Sequence, residues 1–217
     1  MHWIDPTCLP ESQGFVERFI TNRHGEVDGV LLAGTSETPV LICTPPHLAA
    51  EIDAAIQIGD TISVRGVRPR GANIIAAVAL TAGRGKAIID NGPGDEDRRK
   101  ERRRGNKPIR MEAEGVVRLS LFGPRGELRG ALLEDGTIVR IGSEEAAALV
   151  ELLRPGARIA LCGTGLQTKH GRVIAAEQVG PESCSLRPVI AEKPRRQAQA
   201  QEKASDGTTT RFDVSSR

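Results

Sequence analysis

One pattern occurs twice along this chain, and that repeat constrains its fold more than any other feature. From Gly14, "GFVERFITNRHGEVDGVLLAG" runs against "GVVRLSLFGPRGELRGALLEDG" from Gly115 without a gap. After a slightly longer loop in the first copy ("TSETP"), Val40 and Ile42 are matched with Val139 and Ile141. Gly59 and "TISVRG" follow, matched with Gly156 and "RIALCG". The copies close on "NIIAA" from Asn73 and "RVIAA" from Arg172. A unit of this size that recurs with the same glycines and the same apolar parity is a supersecondary unit folded twice.

Each copy reads as five strands with one helix between the third and fourth. Residues 14–22, 28–33 and 39–44 are short β-branched or apolar runs bounded by Gly, Asn or Pro. Leu48, Ile52 and Ile56 then fall four apart, which is helical spacing; Thr44 with Pro45 and Pro46 makes a start and Gly59 a stop. In the second copy Ser143 is the expected N-cap, Leu149, Leu152 and Leu153 the core stripe, and Gly156 the stop. Strands over 61–67 and 73–80, and over 158–163 and 172–179, complete the two units. Ile62 and Val64, matched by Ile159 and Leu161, point inward by period-2 alternation.

The order β-β-β-α-β-β in about 65 residues resembles the OB-fold, a small Greek-key barrel. The expectation is therefore an all-β-dominated chain of two tandem five-stranded OB-like barrels. SH3-like and other small barrels are the competing architectures. The segment "TPPHLAAEIDAAIQIGDTISVRG" also resembles an uncharacterised group of bacterial OB-like proteins, which brings no activity with it. The expected organisation is an N-terminal tail over 1–13, repeat 1 over 14–80, a flexible basic linker over 81–113, repeat 2 over 114–180 and a mostly disordered tail over 181–217.

Composition narrows function by exclusion. Of the 217 residues, four are Phe, one is Trp and none is Tyr, leaving few rings on which bases or sugars could stack. The four cysteines show no zinc-like spacing, and Cys43 with His47 would be two ligands where a site needs more. Unpaired thiols fit a reducing cytoplasm. The first residues carry neither a basic nor an apolar signal region, and no apolar run reaches membrane-spanning length. His2, His24, His47 and His170 have no companion pattern for a catalytic triad, and "GPGDED" and "GTGLQTKHG" lack the ending of a phosphate loop. No enzyme and no cofactor is expected.

Charge points to a polyanion. The whole chain is at +2, but Arg98, Arg99, Lys100, Arg102, Arg103, Arg104, Lys107 and Arg110 stand in thirteen residues against Glu101 alone. A run of this kind neutralises phosphates and releases counterions without reading sequence; its bland alternative is a solvated spacer. Between the copies, repeat 2 carries Arg118, Arg129, Arg140, Arg158 and Arg172 where repeat 1 has Glu17, Asp28, Leu41, Thr61 and Asn73. Parity turns Arg118, Arg140 and Arg158 outward. In an OB-fold the outer face of strands 2–3 with the 1–2 and 4–5 loops is the usual ligand surface, and Arg125 and Lys169 fall in those loops. Phe15, Phe19 and Phe122 are the candidates for stacking, the first two on the strand face opposite Val16 and Ile20. These residues make single-stranded DNA or RNA the expected partner, bound electrostatically through repeat 2 and the linker. A protein-interaction scaffold is the alternative, with repeat 1 as its protein-binding half. The same arginines could instead pair with acids on neighbouring strands.

Overall fold

A computed structural model of the chain describes residues 5–34, 38–83, 85, 87–93 and 107–189. The first unit comprises β1 (Glu11–Thr21), β2 (Val27–Ala33), β3 (Val40–Cys43), α1 (Ala49–Ala55), β4 (Thr61–Val67), β5 (Ile74–Ala82) and the short β6 (Ile88–Ile89). The second comprises β7 (Ile109–Phe122), β8 (Leu128–Leu133), β9 (Ile138–Arg140), α2 (Ser143–Ala147), β10 (Arg158–Thr168), β11 (Gly171–Gly180) and β12 (Arg187–Pro188).

Each unit is a closed five-stranded barrel. β1 pairs antiparallel with β2 and β4, β2 with β3, and β4 with β5; a parallel pairing of β3 with β5 shuts the barrel. β7 to β11 repeat the circuit, closed by the parallel pair β9–β11. That is the OB-fold connectivity. The equivalence reaches single hydrogen bonds. Gly59 N donates to Val16 O (2.7 Å) as Gly156 N does to Val117 O (2.8 Å), and Ile56 N to Ile52 O as Leu153 N does to Leu149 O. Val16, Ile42, Ile52, Ile62, Val64 and Leu80 fill the first barrel; Val117, Val139, Leu153, Ile159, Leu161 and Val179 fill the second.

Several details differ from the expectations. In β9 the match is shifted by two residues: Gly29 pairs with Cys43 and Gly130 with Arg140, so Arg140 corresponds to Cys43 and not to Leu41. A slip of two keeps every side chain on its face, so alternation could not detect it. The helix of the second copy is a single short turn in which Ser143 is the first helical residue, capped by Gly142 rather than acting as cap itself. Ordered strand also extends beyond the aligned copies. β1 begins at Glu11 and β7 at Ile109, while β6 and β12 add a short strand to β5 and β11 at matching positions: Asp90 N donates to Val78 O and Val189 N to Glu177 O, both at 2.8 Å.

A β-bulge decides one further point. The register of β1 against β2 shifts between Val16 and Arg18, which reverses parity downstream. Phe19 therefore turns into the first barrel's core at 3% exposure, and Ile20 turns outward. The sequence expectation had assigned them the other way round.

Candidate nucleic-acid interface

The outward face of each barrel is not open to solvent, because the two faces pack on one another. Ile20, Leu31, Leu41, Cys43 and Ile74 of the first barrel form one buried cluster with Leu121, Leu132, Ile138, Leu166 and Val173 of the second. Eight of these ten form four equivalent pairs: Ile20 with Leu121, Leu31 with Leu132, Leu41 with Ile138, and Ile74 with Val173. The same surface of each copy is used, as in an isologous dimer with a near-twofold axis. Loop contacts obey the same relation. Gly25 (φ 81°), in the β1–β2 loop, lies against Thr168 and Leu166, so that a Cβ there would stand 3.0 Å from Thr168 Cγ2. Its counterpart Gly126 (φ 84°), in the β7–β8 loop, lies against Pro69, Arg70 and Ala72 in the β4–β5 loop.

Charged groups stitch the rim of this seam. Arg118 pairs with Glu17, its own equivalent, 101 residues away. Arg140, with its side chain 11% exposed, pairs with Asp28 and donates from Nε to Thr21 O at 2.9 Å. Arg18 donates to Gly136 O at 2.7 Å. Asp53, on α1, accepts from Lys169 Nζ and meets His170 Nε2, each at 2.6 Å, while the His170 ring packs on Phe19 with centroids 4.6 Å apart. A burial-driven apolar cluster dominates such a seam: each fully buried Leu or Ile contributes about 1.5–3 kcal/mol, whereas a partly exposed ion pair contributes about 0–1 kcal/mol.

Titration behaviour follows from this packing. Burial pushes the Asp28 carboxyl above its ordinary range, against the pull of Arg140 and Arg129. Partial burial pushes Asp53 up, but its bonds from Lys169 and His170 outweigh that and hold it below the ordinary value. Burial, with Asp28 nearby, pushes the Cys43 thiol up to about 12; its Sγ donates to Phe122 O across the seam at 3.3 Å. Cys43 is thus a structural donor rather than a nucleophile.

The expected site residues consequently separate. Arg118 and Arg140 point outward from their own barrel, as parity required, and Lys169 stands in the β10–β11 loop, but all three enter salt bridges with the other barrel. Arg129 pairs with Glu127 and Arg172 with Asp135 inside the second barrel. Arg158, 74% exposed, has Glu114 at 3.9 Å. Arg125 is exposed at the tip of the β7–β8 loop. Phe122 packs against the seam cluster and Phe19 lies in a core, so neither is a stacking platform; Phe15, 59% exposed, faces solvent. Arg98, Arg99, Lys100, Arg102, Arg103 and Arg104 lie outside the described residues.

Comparisons with known proteins add little beyond this geometry. No family model and no curated protein sequence matches the chain. Among solved structures, the HINb domain of p204 is similar at 12% identity, over 76% of this chain and 92% of that one, with a TM-score of 0.28. The wild-type single-stranded DNA binding protein from Thermus aquaticus is similar at 12% identity, over 84% of this chain and 96% of that one, with a TM-score of 0.25. A deletion mutant of the same protein gives 15% identity, 85% and 95% coverage and a TM-score of 0.23. The OB-fold connectivity is shown by the strand pairings themselves.

What the sequence reasoning missed was Asp53 and the mating of the two faces. A signal was present in "VLLA" and "ALL", which are continuous apolar runs where a half-exposed strand would alternate. Such runs mark strands buried on both sides.

A cleft of about 390 Å³ opens where the seam meets α1, lined by His24, Glu26, Asp53, Lys169 and His170 among others. Asp53 there is already engaged by Lys169 and His170. Among the described residues no group of three or more His, Cys, Asp or Glu side chains is placed to hold a metal ion. No helix among them is long and apolar enough to cross a membrane.

Proposed function

We propose that this chain is a non-enzymatic binding protein that holds single-stranded DNA or RNA electrostatically, chiefly through the basic segment 98–110. The two mated barrels serve as its mount. The observation that carries this reading is the partition of charge. Residues 98–110 hold eight basic groups and one acid, a net of +7, while the other 22 basic and 27 acidic residues of the chain sum to −5. On the second barrel most expected cations already have carboxylate partners, including Arg118, Arg129, Arg140, Lys169 and Arg172. An attraction for phosphate therefore concentrates in the segment between the barrels, where affinity would be salt-dependent and indifferent to sequence.

The test is a titration of labelled single-stranded DNA and RNA by fluorescence anisotropy across about 50–200 mM salt. A second titration uses a variant with Arg98, Arg99, Lys100, Arg102, Arg103 and Arg104 changed to Ser. Wild-type binding should weaken steeply with salt, and the variant should lose about four units of log–log slope, at about 0.7 per phosphate contact. Absence of binding at the lowest salt would overturn the proposal. It would favour a protein-interaction module, for which the exposed Phe15, Ile58 and Val67 of the first unit are the place to look.

A further inference from the structure

The near-twofold axis makes the two ends of the seam equivalent in backbone, yet they differ in charge. At one end the β1–β2 loop and α1 of the first barrel meet the β10–β11 loop of the second. Arg23 and Lys169 stand there with Glu26 and Asp53, two cations beside two acids. Lys169 is held by Asp53. At the other end the β7–β8 loop, with Arg125, and Arg129 at the start of β8 meet the β4–β5 loop, with Arg68 and Arg70. Of the acids near Arg129, Glu127 already accepts from the Arg129 side chain and the Arg125 amide, and Asp28 is held by Arg140.

A single substitution between the copies accounts for the difference. The matched helical bonds, Ile56 N to Ile52 O and Leu153 N to Leu149 O, place Val150 where the first copy has Asp53. Val150 is 51% exposed. Counted back from β5 and β11, Arg70 holds the place of Lys169. One loop cation is thus neutralised by a carboxylate across the seam, and its counterpart has a valine at that position. Among the described residues, the guanidinium groups of Arg70 and Arg125 meet no carboxylate, and that of Arg68 donates to the Ser12 hydroxyl at 3.1 Å.

We propose that Arg68 and Arg70 of the first barrel and Arg125 of the second form one composite phosphate-contact site across this end of the seam. Its ligand is the phosphodiester backbone of a single nucleic-acid strand, so the inference rests on the function proposed above. Three chemical facts favour it. Guanidinium is the side chain suited to bidentate phosphate contact. Pro69 and Pro124 stiffen the two loops, and the apolar seam fixes their separation, so little ordering is needed on binding. Neither barrel alone supplies the set. The basic segment rejoins the fold at Ile109, beside Gly165 on the approach to the β10–β11 loop, at the balanced end.

The decisive experiment compares three proteins in the same salt titration with labelled single-stranded oligothymidine. They are the wild type, the triple variant Arg68→Ser/Arg70→Ser/Arg125→Ser, and a control with equal charge loss elsewhere, Arg23→Ser/Arg154→Ser/Arg187→Ser. All substituted side chains are exposed, and unchanged thermal unfolding confirms that the variants fold. The triple variant should lose about two units of log–log slope and roughly tenfold or more in affinity at low salt, with the control within about twofold of wild type. If the triple variant matches wild type, or the control falls equally, the composite site is wrong while binding through the basic segment stands. If wild type itself does not bind, both proposals fall.

Discussion

On the outer face of the first barrel Glu17 and Asp28 reach across the seam; on the same face of the second, Arg118 and Arg140 meet them. Taken barrel by barrel, the second resembles an anion-binding surface. Taken together, the signs belong to each other. A residue near a twofold axis meets its own copy, so a homodimer with Glu at that position would set like charges together. A duplicated chain escapes that constraint, and here Glu17 faces Arg118. The comparison teaches that divergence between repeats can reflect the contact they share, not a ligand that one of them gained. The ends of the seam extend the lesson: Asp53 closes one, and Val150 leaves the arginines of the other unmatched.

The largest effect should come from placing a charge inside the seam. Leu132, fully buried between the barrels, changed to Asp should cost about 4 kcal/mol or more in urea unfolding, as other buried unpaired charges do. A cost under about 1 kcal/mol would mean the faces do not mate. Reversing the axial pair is milder. Arg118→Glu, set against Glu17, should cost about 1 kcal/mol because both groups are partly exposed, and adding Glu17→Arg should restore most of it.

Acid titration distinguishes the two seam acids by sign. Asp53 titrates below its ordinary value of 3.8 in the folded protein, so its contribution is complete above 3.8 and is lost as pH falls through the folded value. Asp28 titrates above 3.8, so its ionisation costs stability as pH rises from 3.8 through the folded value. Melting temperature followed between about pH 3 and 6 should fall less on acidification in Asp53→Asn than in wild type, and more in Asp28→Asn. Identical profiles for the two variants would contradict the assignment. The smallest stability effect should be Val150→Asp, within about 0.5 kcal/mol at an exposed position. That variant copies the acid of the balanced end onto the arginine end, so it should weaken oligothymidine binding while leaving unfolding unchanged.

Much of the barrel interior was legible from the repeat. Val16, Ile62 and Val64 with Val117, Ile159 and Leu161 follow from period-2 alternation, and the helix positions from Ile52 and Ile56. Three features were hidden for physical reasons. A bulge in β1 reversed Phe19 and Ile20, and bulges have no reliable local signature when the inserted residue is not glycine. The two-residue slip at Arg140 preserved its face. β6 and β12 are short and unlike one another in sequence, held by backbone bonds that any residue can make. The functional surface was the least legible. Outwardness could be read for Arg118 and Arg140, but whether water or another barrel lay beyond them is a matter of tertiary packing.

The mating of the two OB faces is the claim on which the rest depends, and a double-mutant cycle on Asp28 and Arg140 tests it most directly. Asp28→Ala, Arg140→Ala and the double variant would be compared by urea unfolding of the full chain. A coupling of about 1–2 kcal/mol is predicted for a partly buried pair held across the seam. Single effects that add to within about 0.3 kcal/mol would show that the two side chains do not meet, and the barrels would then have their ligand faces free.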